Sequence, residues 1–150
     1  MAICILKSNK QLGVNFILTP ERYNPRRRMS IDNEDTILMS EIVEIVNDII
    51  TKKQAQGKSI IQINTSDAMG GYLNINSEVN DSINCNKKIL RKGDVIISRL
   101  RPYLRQVAYV DEDRKEILGA STEFFVIRAR NNESIAYLVP FLLSQPAQLV

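Results

Sequence analysis

Arginines decide what chemistry this sequence can offer. The stretch "KGDVIISRLRPYLRQVAYV", residues 92–110, sets Arg99, Arg101, Tyr103 and Arg105 between "DVIIS" and "VAYV". Those flanks are β-branched and alternating, the pattern of buried strands. A connection that only reversed the chain would draw on Gly, Asn and Asp. This one carries three guanidiniums, a phenol and Pro102. A guanidinium is a permanent charge on a planar fork that matches paired acceptors. Against a nucleic acid, each phosphate neutralised steepens the salt dependence by about one unit of log K per log salt. The same fork fits guanine O6 and N7, worth about 1–3 kcal/mol of discrimination per good pair. Lys87, Lys88, Arg91 and Lys92 extend the basic run upstream, and Asp94 is the only acid between Lys87 and Arg105. Arg22, Arg26, Arg27 and Arg28 form a second basic group. Ser66, Tyr72 and Tyr23 can add hydroxyl contacts to phosphate or rings for stacking. The acids gather instead at residues 32–48 and 111–116, so a formal net charge of +3 hides a segregated distribution.

Other chemistries are poorly supplied. The chain has no histidine, which excludes Ser-His-Asp and Cys-His catalysis. It has no GxxxxGK[ST] or GxGxxG loop to cradle a phosphate. Cys4 and Cys85 form no CxxC, so they suggest neither a zinc site nor a disulfide framework, and they point to a reducing cytoplasm. Asp67 and Glu123 read more simply as a turn cap and an edge charge than as catalytic carboxylates. Basic loops also arise as plain solvated faces, with arginines paired to carboxylates on neighbouring strands. By that account Arg101 would pair with Asp94 or Glu123.

The elements that must position these residues follow from pattern. At 150 residues, 44% hydrophobic and 25% charged, the composition suits one soluble globular domain. "ICIL" and "VNFIL" predict an opening hairpin, with the basic loop "TPERYNPRRRMS" after it, so that residues 1–30 form an N-terminal unit. "MAICILKSNK" lacks a basic n-region and a cleavage site, and no apolar run reaches transmembrane length. Residues 31–133 form the core. In it, "NEDTILMSEIVEIVNDIITKKQAQGK" reads either as one helix, with Lys52 and Lys53 near its end and Gly57 as its stop, or as a short helix giving way to a strand at "IVEIV". "SIIQIN" is a strand and "TSDAMGGYLNI" a glycine turn leading to another. "INCNKKILRKGD" reads as a polar loop gripped by Ile89 and Leu90, and Gly93 and Asp94 make the turn that opens "VIIS". "DEDRKE" is a solvated turn and "TEFFVIRA" a strand. Residues 134–150 start a helix through Ser134, Ala136, Leu138, Phe141 and Leu142, and the apolar pattern is unfinished at Val150. Either the natural chain continues or a partner meets this end. The fold class is α+β, with a mixed, strongly bent or barrel-like sheet and few short helices.

In order, "INTSDAMGGYLN", "ILRKGDVIISRLRPYLRQVAYV", "ASTEFFVIRA" and "YLVPFLLSQPAQ" resemble the target-recognition domain of type I restriction-modification specificity subunits. That family shows "L-x-x-GD-(V/I)-(L/I)-(I/F)-S-(R/K)", an "A-x-V" strand, "S-(S/T)-E-F-x-V-(L/I)-R" and "Y-L-x-x-x-L-x-S". The likeness covers roughly residues 37–150. "NFILTPERYNP" resembles the family's "R-L-D-x-E-Y-Y-x-P" entry, with Thr19 and Pro20 departing from it. The resemblance implies that "SEIVEIV" is a short helix running into a strand. It implies a non-catalytic module, reading one half of a bipartite target in double-stranded DNA. The partners it implies are modification (methyltransferase) subunits and a restriction subunit, with a second copy or a second recognition domain. S-adenosylmethionine, ATP and magnesium would be used only in those partner subunits. No membrane and no cofactor in this chain are expected. Residues 134–150 would lead to a conserved helical region. Two rivals stand beside it: a protein–protein interaction domain without DNA binding, and a serine peptidase of the LexA or signal-peptidase type built on Ser98 and Lys92.

Overall fold

In the computed structural model, residues 37–75, 78–144 and 147 are described. The expected N-terminal hairpin, Arg22, Tyr23 and Arg26–Arg28 lie outside those residues. The "SEIVEIV" ambiguity resolves as a helix–strand junction. α1 is Met39–Ile42 and β1 is Val43–Val46. The β-branched second half takes the extended form, in which branched side chains keep their χ1 freedom.

β2 is Ile49–Ile50, followed by α2, Lys52–Ala55. Thr51 caps α2: its hydroxyl accepts from the Gln54 amide while the Gln54 side chain accepts from the Thr51 amide. β3 is Ile60–Ile63. β4 (Ala68–Met69) and β5 (Tyr72–Leu73) form a hairpin around Gly70 and Gly71, both at positive φ, as a tight two-residue turn requires. β6 is Val79–Asn80, β7 Lys87–Leu90, β8 Val95–Ser98, β9 Val107–Tyr109, β10 Ile117–Ala120 and β11 Phe124–Ala129. α3 is Leu138–Leu143.

Three of these differ from expectation. α3 begins at Leu138, so Ser134 and Ala136 precede the helix rather than start it. "KKIL" is a strand, not loop: its residues lie between β2 and β10 in a sheet. "ILGA" is also a strand, and the centre of that sheet.

The strands form a four-stranded antiparallel sheet, β1-β11-β8-β9, and a five-stranded mixed sheet, β2-β7-β10-β3-β6, whose one parallel pair is β3–β10. This is the expected α+β class with a mixed sheet. Among the described residues the strands do not close into a barrel. Alternation along the strands then sorts the side chains. Ile61, Ile63, Leu90 and Leu118 from one sheet meet Ile96, Ala108, Phe124 and Val126 from the other in a shared core. On the outer face of the four-stranded sheet, Val95, Val107 and Ile127 pack against Ile135 and Leu138. On the outer face of the other sheet, Ile60 packs with Ile50, Ala55 and Ile83. Tyr137 and Phe141 remain about half exposed at the C-terminal end, beside Ile37 and Met39. Among the described residues, no helix is long and apolar enough to cross a membrane.

The turn before β8 holds a buried carboxylate. Asp94 is 1% exposed. Its Oδ2 accepts from the Arg91 amide at 2.8 Å, closing the Arg91–Asp94 turn, and Gly93 supplies the positive φ. Arg128 on β11 grips the same carboxylate with Nε and Nη2, each at 2.8 Å. Its Nη1 reaches Asp48 at 3.1 Å, and Arg91 reaches Asp48 at 3.3 Å. The hydrogen bonds to Asp94, above all, raise the Arg128 pKa further.

Candidate nucleic-acid interface

The loop between β8 and β9 is built, not slack. Ser98 ends β8 with its hydroxyl turned onto the chain, donating to the Leu100 carbonyl at 3.1 Å and accepting from the Leu100 amide at 3.2 Å. The Ser98 amide bonds Gln106 and the Arg99 amide bonds Glu123, each at 2.9 Å, so both sides of the loop are tied down. Residues Pro102–Leu104 make a single 3-10 turn. The Leu104 amide closes on the Arg101 carbonyl and the Val107 amide on the Arg105 carbonyl, each at 2.9 Å. Arg101 and Arg105 have φ of 49° and 52°, the left-handed region. For a residue with a Cβ this costs about 1–2 kcal/mol, so it persists only where surrounding bonds fix it.

The three arginines meet different fates. Arg99 reaches Glu123 at 3.3 Å, and its guanidinium carbon lies 5.7 Å from the Phe125 ring centroid. Arg105 donates from Nη2 to the Leu143 carbonyl at the end of α3, at 3.2 Å. Arg101 is exposed, and its guanidinium has no partner among the described residues. It pairs with neither Asp94, which belongs to Arg128, nor Glu123, which belongs to Arg99. Tyr103 is 75% exposed on the same turn, with Leu100 half exposed beside it.

The β4–β5 hairpin docks against the stem of this loop. The Gly71 amide donates to the Val107 carbonyl at 2.9 Å, and the Tyr109 amide to the Gly71 carbonyl at 3.3 Å. This brings Tyr72, 83% exposed, to the strand that leaves the arginine loop. Gly71 has φ of 95°, and a Cβ there would stand 3.0 Å from Val139 of α3. α3 therefore touches both loops, through Gly71 and through Arg105. Ser66 is exposed in the turn Thr65–Asp67 that precedes the hairpin. Asp67 caps that turn, accepting from the Asn64 amide at 2.7 Å.

The basic run from Lys87 to Arg105 does not lie on one face. Lys87 and Lys88 sit in β7 and are 5% and 8% exposed. Gly119 makes room for Lys87, whose Cβ lies 3.3 Å from where a Gly119 Cβ would stand. Lys88 points inward and donates from Nζ to the Phe124 carbonyl at 2.9 Å. Burial, then the nearby Arg99 charge, lowers the Lys88 pKa, with Glu123 opposing. Arg91 is exposed, but it stands before β8 while the arginine loop follows it. Lys92 likewise precedes β8 while Ser98 ends it, and the Ser98 hydroxyl is engaged with Leu100, so they do not form a serine–lysine pair.

The structure places Arg99, Arg101, Tyr103 and Arg105 on one connection and Tyr72 on the hairpin bonded to its stem. Sequence reasoning passes over Leu100 on the arginine loop and Met69 at the end of β4, both exposed apolar side chains. Their only signal is an apolar residue inside a turn. Chemically, the arrangement offers one unpaired guanidinium, two phenol rings and two braced arginines to an anionic, ring-bearing ligand.

No family model matches this chain, and no curated protein matches it. Among solved structures, it is similar to a crystal structure of the HsdS subunit from Thermoanaerobacter tengcongensis. The identity is 22% and the TM-score 0.47. The match takes in 62% of this chain and 24% of that one, so this chain spans about a quarter of that neighbour's length.

Proposed function

We propose that this chain is a non-catalytic DNA-recognition module that reads one half of a bipartite target in a type I restriction-modification system. The sequence resemblance over residues 37–150 supports this reading. The observation that carries it is the arginine loop: a connection fixed by backbone hydrogen bonds that leaves Arg101 and Tyr103 exposed, with the hairpin bearing Tyr72 docked on its stem. Phosphate contacts by the braced arginines would set register on the duplex, and base-edge contacts would carry sequence information. Modification and restriction subunits would supply the chemistry, using S-adenosylmethionine, ATP and magnesium. A second recognition domain, or a second copy, would read the other half of the target.

Gel shift of this chain against random duplex DNA at two salt concentrations tests the proposal. The two cation–phosphate contacts of the braced arginines would weaken binding roughly twelvefold between about 50 and 200 mM salt, because each contact releases condensed counterions. Binding that does not change with salt, or no binding at the lower salt, overturns it.

A further inference from the structure

We infer that Arg101 is the base-reading residue of this surface and that it reads guanine; this rests on the duplex recognition proposed above. The argument starts from what the arginines touch. Arg91, Arg99, Arg114, Arg128 and Arg130 each have a carboxylate partner, and Arg105 has the Leu143 carbonyl. Arg101 alone among the described arginines has none. An unpaired, outward guanidinium on a mobile stem would be an ordinary surface charge. This one stands on a backbone held in the left-handed region, with its own carbonyl tied to the Leu104 amide. Fixing the backbone at such a residue lowers the entropy lost when the side chain is ordered on a ligand.

The chemistry then narrows. A planar fork with a fixed origin fits two acceptors side by side on a rigid plane. The guanine edge, with O6 and N7, is the base-pair edge that offers this pair in the major groove. A phosphate offers paired oxygens too, but any exposed cation satisfies it, with no need of a fixed backbone. Arg99 and Arg105 are placed to brace: one is held over Phe125 and against Glu123, the other against the end of α3. Tyr103, two residues on, turns out on the same turn and would stack or bond beside the read base.

Selection of bound sequences from a random duplex pool at low salt, with wild type, Arg101→Ala and Arg101→Gly, tests this. The glycine variant keeps the loop free of left-handed strain, so a change seen in both variants is not a folding defect. Wild type is expected to enrich a motif containing guanine, and both variants to lose preference at that one position. Affinity for the selected duplex should fall roughly tenfold to a hundredfold, with the salt slope nearly unchanged. Replacing that guanine by 7-deazaguanine should weaken wild type and leave Arg101→Ala unaffected. The same motif from all three proteins, with a salt slope reduced by about one, would place Arg101 on a phosphate and overturn the inference. So would salt-dependent binding by wild type without any enriched motif, which leaves the proposed function standing. Absence of duplex binding by wild type overturns both.

Discussion

Removing the Asp94 carboxylate should destabilise the fold more than any surface change, and the structure says why. Asp94 is 1% exposed and receives three hydrogen bonds, two from Arg128 and one from the Arg91 amide, all at 2.8 Å. In Asp94→Ala the Arg128 guanidinium, 18% exposed, loses its bidentate partner and keeps only Asp48. Breaking one side of a buried ion pair costs about 3–5 kcal/mol, chiefly because a charge is left uncompensated. The partial exposure and the residual Asp48 contact put the charge term at about 3 kcal/mol. The unpaired Arg91 amide adds roughly 1 kcal/mol. With a urea m-value of about 2 kcal/mol/M, the midpoint should fall by roughly 2 M. Against a total of about 5–15 kcal/mol, the variant stays folded but marginal. The double variant Asp94→Ala/Arg128→Met is the decisive arm. It removes the stranded charge, so it should recover most of the loss, leaving roughly 1–2 kcal/mol from the turn. Urea unfolding followed by far-UV circular dichroism reads both midpoints. A double variant as unstable as Asp94→Ala, or more so, refutes the reasoning that an orphaned cation sets the cost.

Two further outcomes are expected. Lys88 has a lowered pKa in the fold, chiefly through burial. On lowering the pH from above 10.5, the unfolded chain takes up this proton before the folded one, so the fold loses stability across the window between the ordinary and the lowered value. Lys88→Met should abolish that component, visible as a smaller rise in unfolding free energy from pH 8 to about 10.5 than in wild type; identical pH curves would remove Lys88 as its source. Gly71→Ala meets both a left-handed φ of 95° and a 3.0 Å approach to Val139. It should lower stability by about 1–3 kcal/mol, measured as a melting temperature, whereas an unchanged value would mean that the hairpin does not rest on α3 in solution.

Much of the fold was legible wherever one residue type repeats with one period. "VIIS", "SIIQIN" and "TEFFVIRA" announce strands through β-branched and aromatic residues, and "GG" announces the hairpin turn. "KKIL" was hidden because lysine is normally a solvated residue. In β7 the Lys88 stem crosses the inter-sheet core to reach the Phe124 carbonyl, 36 residues away. "ILGA" was hidden because a glycine stands in a four-residue strand whose parallel partner begins 57 residues earlier, Ile117 facing Ile60. The plain count of positive charge across Lys87–Arg105 was correct, but a count cannot say where stems point. Nor could spacing show which arginine lacks a partner. That depends on carboxylates brought from elsewhere, such as Asp48, which reaches Arg128 across 80 positions. Asp67 could be read locally, because a turn cap needs only its neighbours; Glu123 could not, since it stands in the turn before an interior strand and its partner Arg99 lies 24 residues away.

The turn at Ser121–Glu123 joins β10 to β11, and these two consecutive strands occupy interior positions of different sheets. β10 stands between β7 and β3, while β11 stands between β1 and β8. On a ribosome, therefore, neither sheet can gain its interior strand until residues 117–129 have emerged. β1 waits for Ala129, its partner in register with Val43, and β3 waits for Ile117. At about 5–20 residues per second, the nascent chain carries unpaired apolar strands for several seconds. Its contacts are of long sequence range, which places it with slow-folding topologies. Once the 121–123 turn forms, both sheets gain their interior strands together, so assembly of one sheet is tied to assembly of the other.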